Sequence, residues 1–316
     1  MKNIQKLKQV MITLILTICF MSITKSQASL AEKLGYAPDD KLLIIHSDDL
    51  GVTHSENIAS IHAMRVGMVN SGSIMMPCPW VPEIAAYAKM VPKADLGLHL
   101  TLTSEWKSMK WGPVAPLGEV TSLVGADGYL YKDCTEFAKH ADPVEAKKEL
   151  RAQIELAYEL GIKPTHLDSH MGCLIFSSPE VFQAYLELGR EFGIPVMVAR
   201  FFMKVASPAF KELVTPSDVL IETIYTASPT DYAKGMPQYY TKVLSNLNAG
   251  IQILLIHTAY DDAEMQALSI DHPEWGASWR QADFDFFTSE ECREIIEREN
   301  IKLVTWREIQ GAIYPK

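Results

Sequence analysis

From about Lys41 to the end of the chain, strand-like and helix-like segments alternate, and this alternation restricts the fold more than any other feature. Runs that read as strands cover Lys41–Asp48, Ser71–Met76, Leu96–Thr103, Pro164–His170, Pro195–Arg200, Val219–Ile224, Gln252–His257 and Lys302–Thr305. Helical patterns fall between them, at Ser55–Gly67, Pro82–Met90, Pro143–Leu160, Pro179–Phe192, Thr230–Asn246 and Ser289–Arg298. Three of these open on capping signatures: Asp142 before Pro143, Ser178 before Pro179, and Thr288-Ser289-Glu290-Glu291. Repeated strand–helix units predict an α/β fold with a largely parallel sheet. About eight units in a chain of this length fit one closed, TIM-like (β/α) barrel over residues 29–316 better than two domains.

Residues 1–28 stand outside the pattern. Lys2, Lys6 and Lys8 precede an apolar stretch from Val10 to Ile23, and Ser26-Gln27-Ala28 supplies a small-x-small site. The stretch is shorter than the ~20 residues of a spanning helix. Its layout is that of a secretory signal peptide cut before Ser29. The expected protein is exported, periplasmic or secreted, with no membrane span after cleavage. An uncleaved anchor and a lipoprotein signal at Leu16-Thr17-Ile18-Cys19 are the alternatives, the second opposed by bulky Ile18.

A net charge of −10, without a Lys/Arg-rich run, argues against nucleic acid as a partner. Cys78, Cys134, Cys173 and Cys292 lie beyond the signal at irregular spacings with no C-x-x-C, and read as small buried thiols rather than a zinc finger or a redox motif.

Leu96-Gly97-Leu98-His99-Leu100-Thr101-Leu102-Thr103 shows how the barrel is filled. Successive strand side chains face opposite ways, so the leucines share one face and Gly97, His99, Thr101 and Thr103 the other. The leucines suit the layer beneath the helices, which points His99 inward, and a polar interior is costly unless its groups bind something.

No G-x-S-x-G, P-loop, H-E-x-x-H or dinucleotide fingerprint occurs. Asp and His recur at strand ends instead. His46-Ser47-Asp48-Asp49-Leu50-Gly51 presents adjacent carboxylates at a turn, His166, Asp168 and His170 share a face of one strand, and His257 closes a late one. Alone, an Asp pair is a solvated turn and a strand histidine a hydrogen-bonded core residue. Several strand ends delivering such groups to one end of a barrel make a metal site a real contender.

In order, His46-Ser47-Asp48-Asp49-Leu50-Gly51, Gly97-Leu98-His99-Leu100-Thr101 and Thr165-His166-Leu167-Asp168-Ser169-His170 resemble the motifs of the YdjC-like carbohydrate deacetylases. That group includes chitooligosaccharide and hopanoid-sugar deacetylases and is related to NodB-type polysaccharide deacetylases. The resemblance covers about residues 40 to 310. It implies a deformed (β/α) barrel, one divalent metal ion (magnesium or zinc), and removal of N-acetyl groups from amino sugars or oligosaccharides. By motif, Asp49, His99 and His170 would hold the metal, Asp48 would be the general base and His257 the general acid. Two departures stand out: Thr258-Ala259 follow His257 where Pro-Gly is common, and Met171-Gly172 follow His170 where further histidines are common.

Amide hydrolysis suits those roles, since a metal acidifies water, a carboxylate takes a proton and an imidazole protonates a leaving amine. Asp168, in phase with its neighbours, is expected to orient an imidazole. His166 is an alternative ligand, with His170 preferred because it lies nearer the strand's C-terminal end. The long segment Ser104–Pro143 carries Trp106, Trp111, Tyr129 and Tyr131, read either as sugar-stacking platforms or as a cluster pinning the loop. Arg280 and Asp283, beside Trp275 and Trp279, read as substrate contacts or, more simply, as a surface ion pair. The competing functions are a non-catalytic exported sugar-binding barrel and a metal-dependent phosphoesterase, which the intact Asp pair and the few nearby cations respectively oppose. Oligomeric state, a homo-oligomer included, stays open.

Overall fold

The computed structural model describes residues 29–272 and 274–315; the expected signal peptide lies outside the described residues. Seven strands form one parallel sheet: β1 (Lys41–Leu50), β2 (Ser71–Ile74), β3 (Leu96–Leu100), β4 (Leu167–Ser169), β5 (Thr223–Tyr225), β6 (Gly250–Ile256) and β7 (Lys302–Leu303). The order is β4-β3-β2-β1-β6-β5, with β7 added against the start of β1. β1 is the spine, and Leu42–Leu50 are all buried, as expected for a parallel strand covered on both faces.

The sheet curls into a deformed barrel rather than closing as a regular one. Between β4 and β5 the expected strand Pro195–Arg200 makes only two isolated bridges, Leu167 to Val196 and Ala199 to Ile221. Pro195 has no N–H to give to a ladder, and the chain turns into a helix at Arg200–Val205. The segment therefore spans the gap without becoming a ladder strand. Likewise, the strand expected over Val219–Ile224 is confined to Thr223–Tyr225.

Leu96, Leu98, Leu100 and Leu102 enter the apolar layer with Ala146, Leu150 and Ile154 of the helix Pro143–Glu159, which leaves His99 facing the barrel interior. Gly97 is required there, because a Cβ at this position would overlap the His166 ring. The capping expectations hold: Asp142, Ser178 and Ser289 each accept N–H groups of the helix that follows. Ser104–Pro143 packs into the same apolar layer, with Leu123 and Phe137 fully buried.

The cysteines need a correction. Cys78 and Cys292 are free and buried, but Cys134 and Cys173 form a disulfide. The pair joins the first residue of the helix Cys134–His140 to the first residue of Cys173–Phe176, two elements that tertiary packing brings together and spacing in the chain does not.

Candidate metal centre

The end of β1 supplies the first two carboxylates. Its register against β2 shifts between Ser47 and Leu50, Asp49 has φ 66° and Gly51 has φ 97°. A regular strand would send Asp48 and Asp49 to opposite faces. The bulge and the left-handed residue bring both to the same imidazole: Asp48 Oδ1 lies 3.9 Å from His99 Nδ1 and Asp49 Oδ1 3.5 Å from His99 Nε2. Asp is among the few residue types that tolerate the left-handed region.

Asp49, His99 and His170 converge. Asp49 Oδ1 lies 3.5 Å from His99 Nε2 and 3.6 Å from His170 Nδ1, and the three donor atoms fall within 4.8 Å of one another. Bonds of about 2.0–2.2 Å to a common ion would set tetrahedral donors about 3.3–3.6 Å apart, so the spacing fits. Asp49 Oδ1 is buried without a hydrogen-bond partner, an acceptor aimed at the same point.

Each of the three is also held from behind. His99 Nδ1–H donates to Asp168 Oδ1 at 2.6 Å, His170 Nε2–H donates to Glu105 Oε2 at 3.0 Å, and Arg280 Nη2 donates to Asp49 Oδ2 at 2.8 Å. Such partners fix the ring orientation and leave the opposite nitrogen free to ligate. Arg280 is anchored in turn by Glu56 and by the Trp275 carbonyl, and its guanidinium lies 5.7 Å from the centre of the Trp106 ring.

Burial alone would raise the Asp49 carboxyl, but Arg280 and the neighbouring imidazoles hold it well below the usual range. For His170 burial works downward, and Glu105 and Asp49 outweigh it, bringing the imidazole up to about 10. His99 is raised against burial by Asp48 and Asp168. Burial pushes Glu56 up to about 8 despite Arg280.

Beneath the triad lies a polar layer. His46 Nε2–H reaches Asp168 Oδ2 at 2.9 Å and Asp48 Oδ1 at 3.0 Å, while its Nδ1 is hydrogen-bonded with the Ser71 hydroxyl. Ser73 Oγ–H also donates to Asp48 Oδ1, at 3.2 Å. His166 sits deeper, fully buried and stacked on Trp306, its Nδ1 hydrogen-bonded with Thr165. Burial lowers its pKa. His46-His166-Asp168 and Asp48-His99-Asp168 also cluster, but there Asp168 is already committed to His46 and His99.

Trp106 and Trp111 are buried rather than open platforms; Trp111 Nε1–H donates to the Thr103 carbonyl and so pins the loop. Arg280 and Asp283 are not a surface ion pair. Both are buried, and Asp283 instead accepts the His257 backbone N–H at 2.9 Å and the Tyr240 hydroxyl. The His257 side chain is 18% exposed, with Nε2 3.8 Å from Asp49 Oδ2.

Two residues in this framework were not anticipated. Glu105 carried a signal, because it continues the alternation 97, 99, 101, 103 that placed His99 inward. Glu56 carried none: it sits in the first turn of the helix His54–Val66, bonded to its N-cap Thr53, as a surface capping glutamate would be.

Comparisons with known proteins find relatives over most of the chain. The family model described as YdjC-like protein matches residues 42–298. A carbohydrate deacetylase of Thermus thermophilus is 31% identical over 292 residues, 90% of this chain and 99% of that protein. A chitooligosaccharide deacetylase of Yersinia enterocolitica is 31% identical over 164 residues, 51% of this chain and 60% of that one. Among solved structures, an Enterococcus faecalis protein described as a candidate cellobiose-phosphate cleavage protein superposes with a TM-score of 0.69 at 24% identity, covering 85% of this chain and 99% of its own. That likeness bears on the fold alone.

Proposed function

The chain belongs to the YdjC-like family, and on that premise we propose that it is a metal-dependent carbohydrate deacetylase, a hydrolase that removes N-acetyl groups from amino sugars or oligosaccharides. One observation carries the reading: three donor atoms from β1, β3 and the end of β4 face one point, each with its opposite atom clamped by a different buried or near-buried partner. The activities for which the Thermus and Yersinia relatives are named support the substrate class.

Asp49, His99 and His170 would hold a divalent ion. In such a site the ion supplies Lewis-acid polarisation and an acidified water. Two imidazoles and a carboxylate suit zinc, while a well-hydrated site would favour magnesium. Asp48, fixed by His46 and Ser73, is the proposed base, the carboxylate placed to take a proton without being a ligand. His257 is the proposed acid at the leaving amine. Burial holds its imidazole down at about 4, so it enters the reaction neutral and donates only a proton gained during the cycle.

Export is part of the same proposal, with residues 29–316 as the mature barrel. The lysine-rich start, the short apolar stretch and a disulfide that oxidising compartments favour support it. N-terminal sequencing of native material should begin near Ser29; an intact Met1 would overturn cleavage.

The test of activity is acetate release from a panel of N-acetylated oligosaccharides. Chelation should abolish release and added zinc or magnesium restore it. Full activity in demonstrably metal-free protein, or no acetate from any substrate, would refute the proposal.

A further inference from the structure

A cavity of about 400 Å³ opens beside the candidate metal centre, with Asp48, His99 and Asp168 among its lining residues. Pockets of this size hold whole small ligands, far more than one methyl group. Its remaining walls are almost wholly apolar. Ile175 and Phe202 line its sides, and Met171, Phe176, Phe201 and Val205 stand around it at 49%, 69%, 66% and 67% exposure. Single exposed apolar side chains need no explanation, but four around one opening mark a surface kept for an apolar partner. Sugar hydroxyls need polar partners, and beyond the centre's own residues this cavity offers only the Ser169 and Thr226 side chains.

Position within the site decides which part of a substrate enters. Asp48, the proposed base, lines the cavity; His257, the proposed acid, does not. An amide is attacked from the base side and loses its amine on the acid side, so the cavity lies toward the acyl half. We propose, resting on the amide-hydrolase reading above, that the cavity receives the N-acyl chain of an amino sugar, and that the chain preferred is longer than acetyl. The reaction balances as ordinary hydrolysis. Water adds to the acyl carbon, the C–N bond breaks, the amine leaves with one proton from water, and a short-chain carboxylic acid is released.

The test uses the zinc-loaded mature chain with N-acetyl-, N-butyryl- and N-hexanoylglucosamine and their disaccharides, reading acid release as kcat/KM. Each methylene fully buried is worth about fourfold, so hexanoyl, with four more than acetyl, should exceed it by about 15-fold if two are buried and by up to about 250-fold if all are. Phe201→Ser removes an exposed wall without disturbing the core and should shrink the hexanoyl-to-acetyl ratio; Ala199→Phe, filling the cavity, should shrink it further. A steady fall in rate from acetyl to hexanoyl would overturn the inference and leave the deacetylase reading standing. So would rates indifferent to acyl length but raised by an octyl group on the sugar's anomeric oxygen, which would put the aglycone in the cavity. No acid from any member would remove the hydrolase reading, and this inference with it.

Discussion

Glu105→Ala removes the carboxylate that holds His170 Nε2, a single hydrogen bond of 3.0 Å between groups 65 residues apart. A hydrogen bond to a charged group contributes about 1.5–3 kcal/mol, which corresponds to roughly 10–100-fold in an equilibrium constant. Loss of a partner behind a metal-bound histidine falls in the same range, about 10–100-fold in metal affinity. The two routes agree, so zinc should bind about 10–100-fold more weakly to Glu105→Ala. Glu105→Gln keeps the acceptor oxygen and loses the charge; with about 1 kcal/mol forfeited it should weaken binding by only about fivefold. The Glu105 side chain is 15% exposed, in the segment after β3 rather than in a strand, so thermal stability of the metal-free protein should change little. Competition titration against a chromophoric chelator measures the affinities, and circular dichroism the melting. Zinc affinity within twofold of wild type in Glu105→Ala would refute the idea that His170 is oriented from behind. Equal losses in both variants would refute the role given to charge.

Asp48→Asn should retain metal while kcat falls by roughly 10²-fold or more, and Asp49→Asn should lose metal; metal content measured beside kcat checks both, and the reverse pattern would exchange their roles. Replacing Cys134 and Cys173 by serine opens a link spanning 39 residues, which chain-entropy arguments value at about 4 kcal/mol, and a urea titration should show that loss. Burial raises Asp283 to about 7, against the His257 N–H and Tyr240 hydroxyl that favour its charge. A carboxyl raised on folding adds stability that is complete below its unfolded pKa and lost as pH climbs through about 7, so Asp283→Asn should gain in Tm relative to wild type between about pH 5 and about pH 8.

His99 was legible because strict alternation fixes a face, and the same rule extends to Glu105 once the alternation is carried past the strand's end. The left-handed Asp49 was half legible: Gly51 announced a turn, but the chain already takes left-handed angles at Asp49, the proposed ligand itself. Arg280 could be noticed yet not placed, since nothing local marks a helical arginine as the partner of a carboxylate on the first strand. The Cys134–Cys173 bond was misread for a similar reason, because irregular spacing says nothing about two helix starts that tertiary packing joins. Pro195–Arg200 shows the opposite error. Its composition is that of a strand, yet it makes a single bridge to each neighbour before the chain turns into the helix at Arg200.

The contact between Arg280 and Asp49 joins positions 231 residues apart, so the first proposed ligand in the chain is held by one of its last segments. All three proposed ligands precede that guanidinium in the chain. A polypeptide stopped short of residue 280 would own the donor set but lack the cation that keeps a buried carboxylate ionised. Tight capture of an ion at the proposed site would therefore wait until the last part of the chain has folded, wherever that folding takes place.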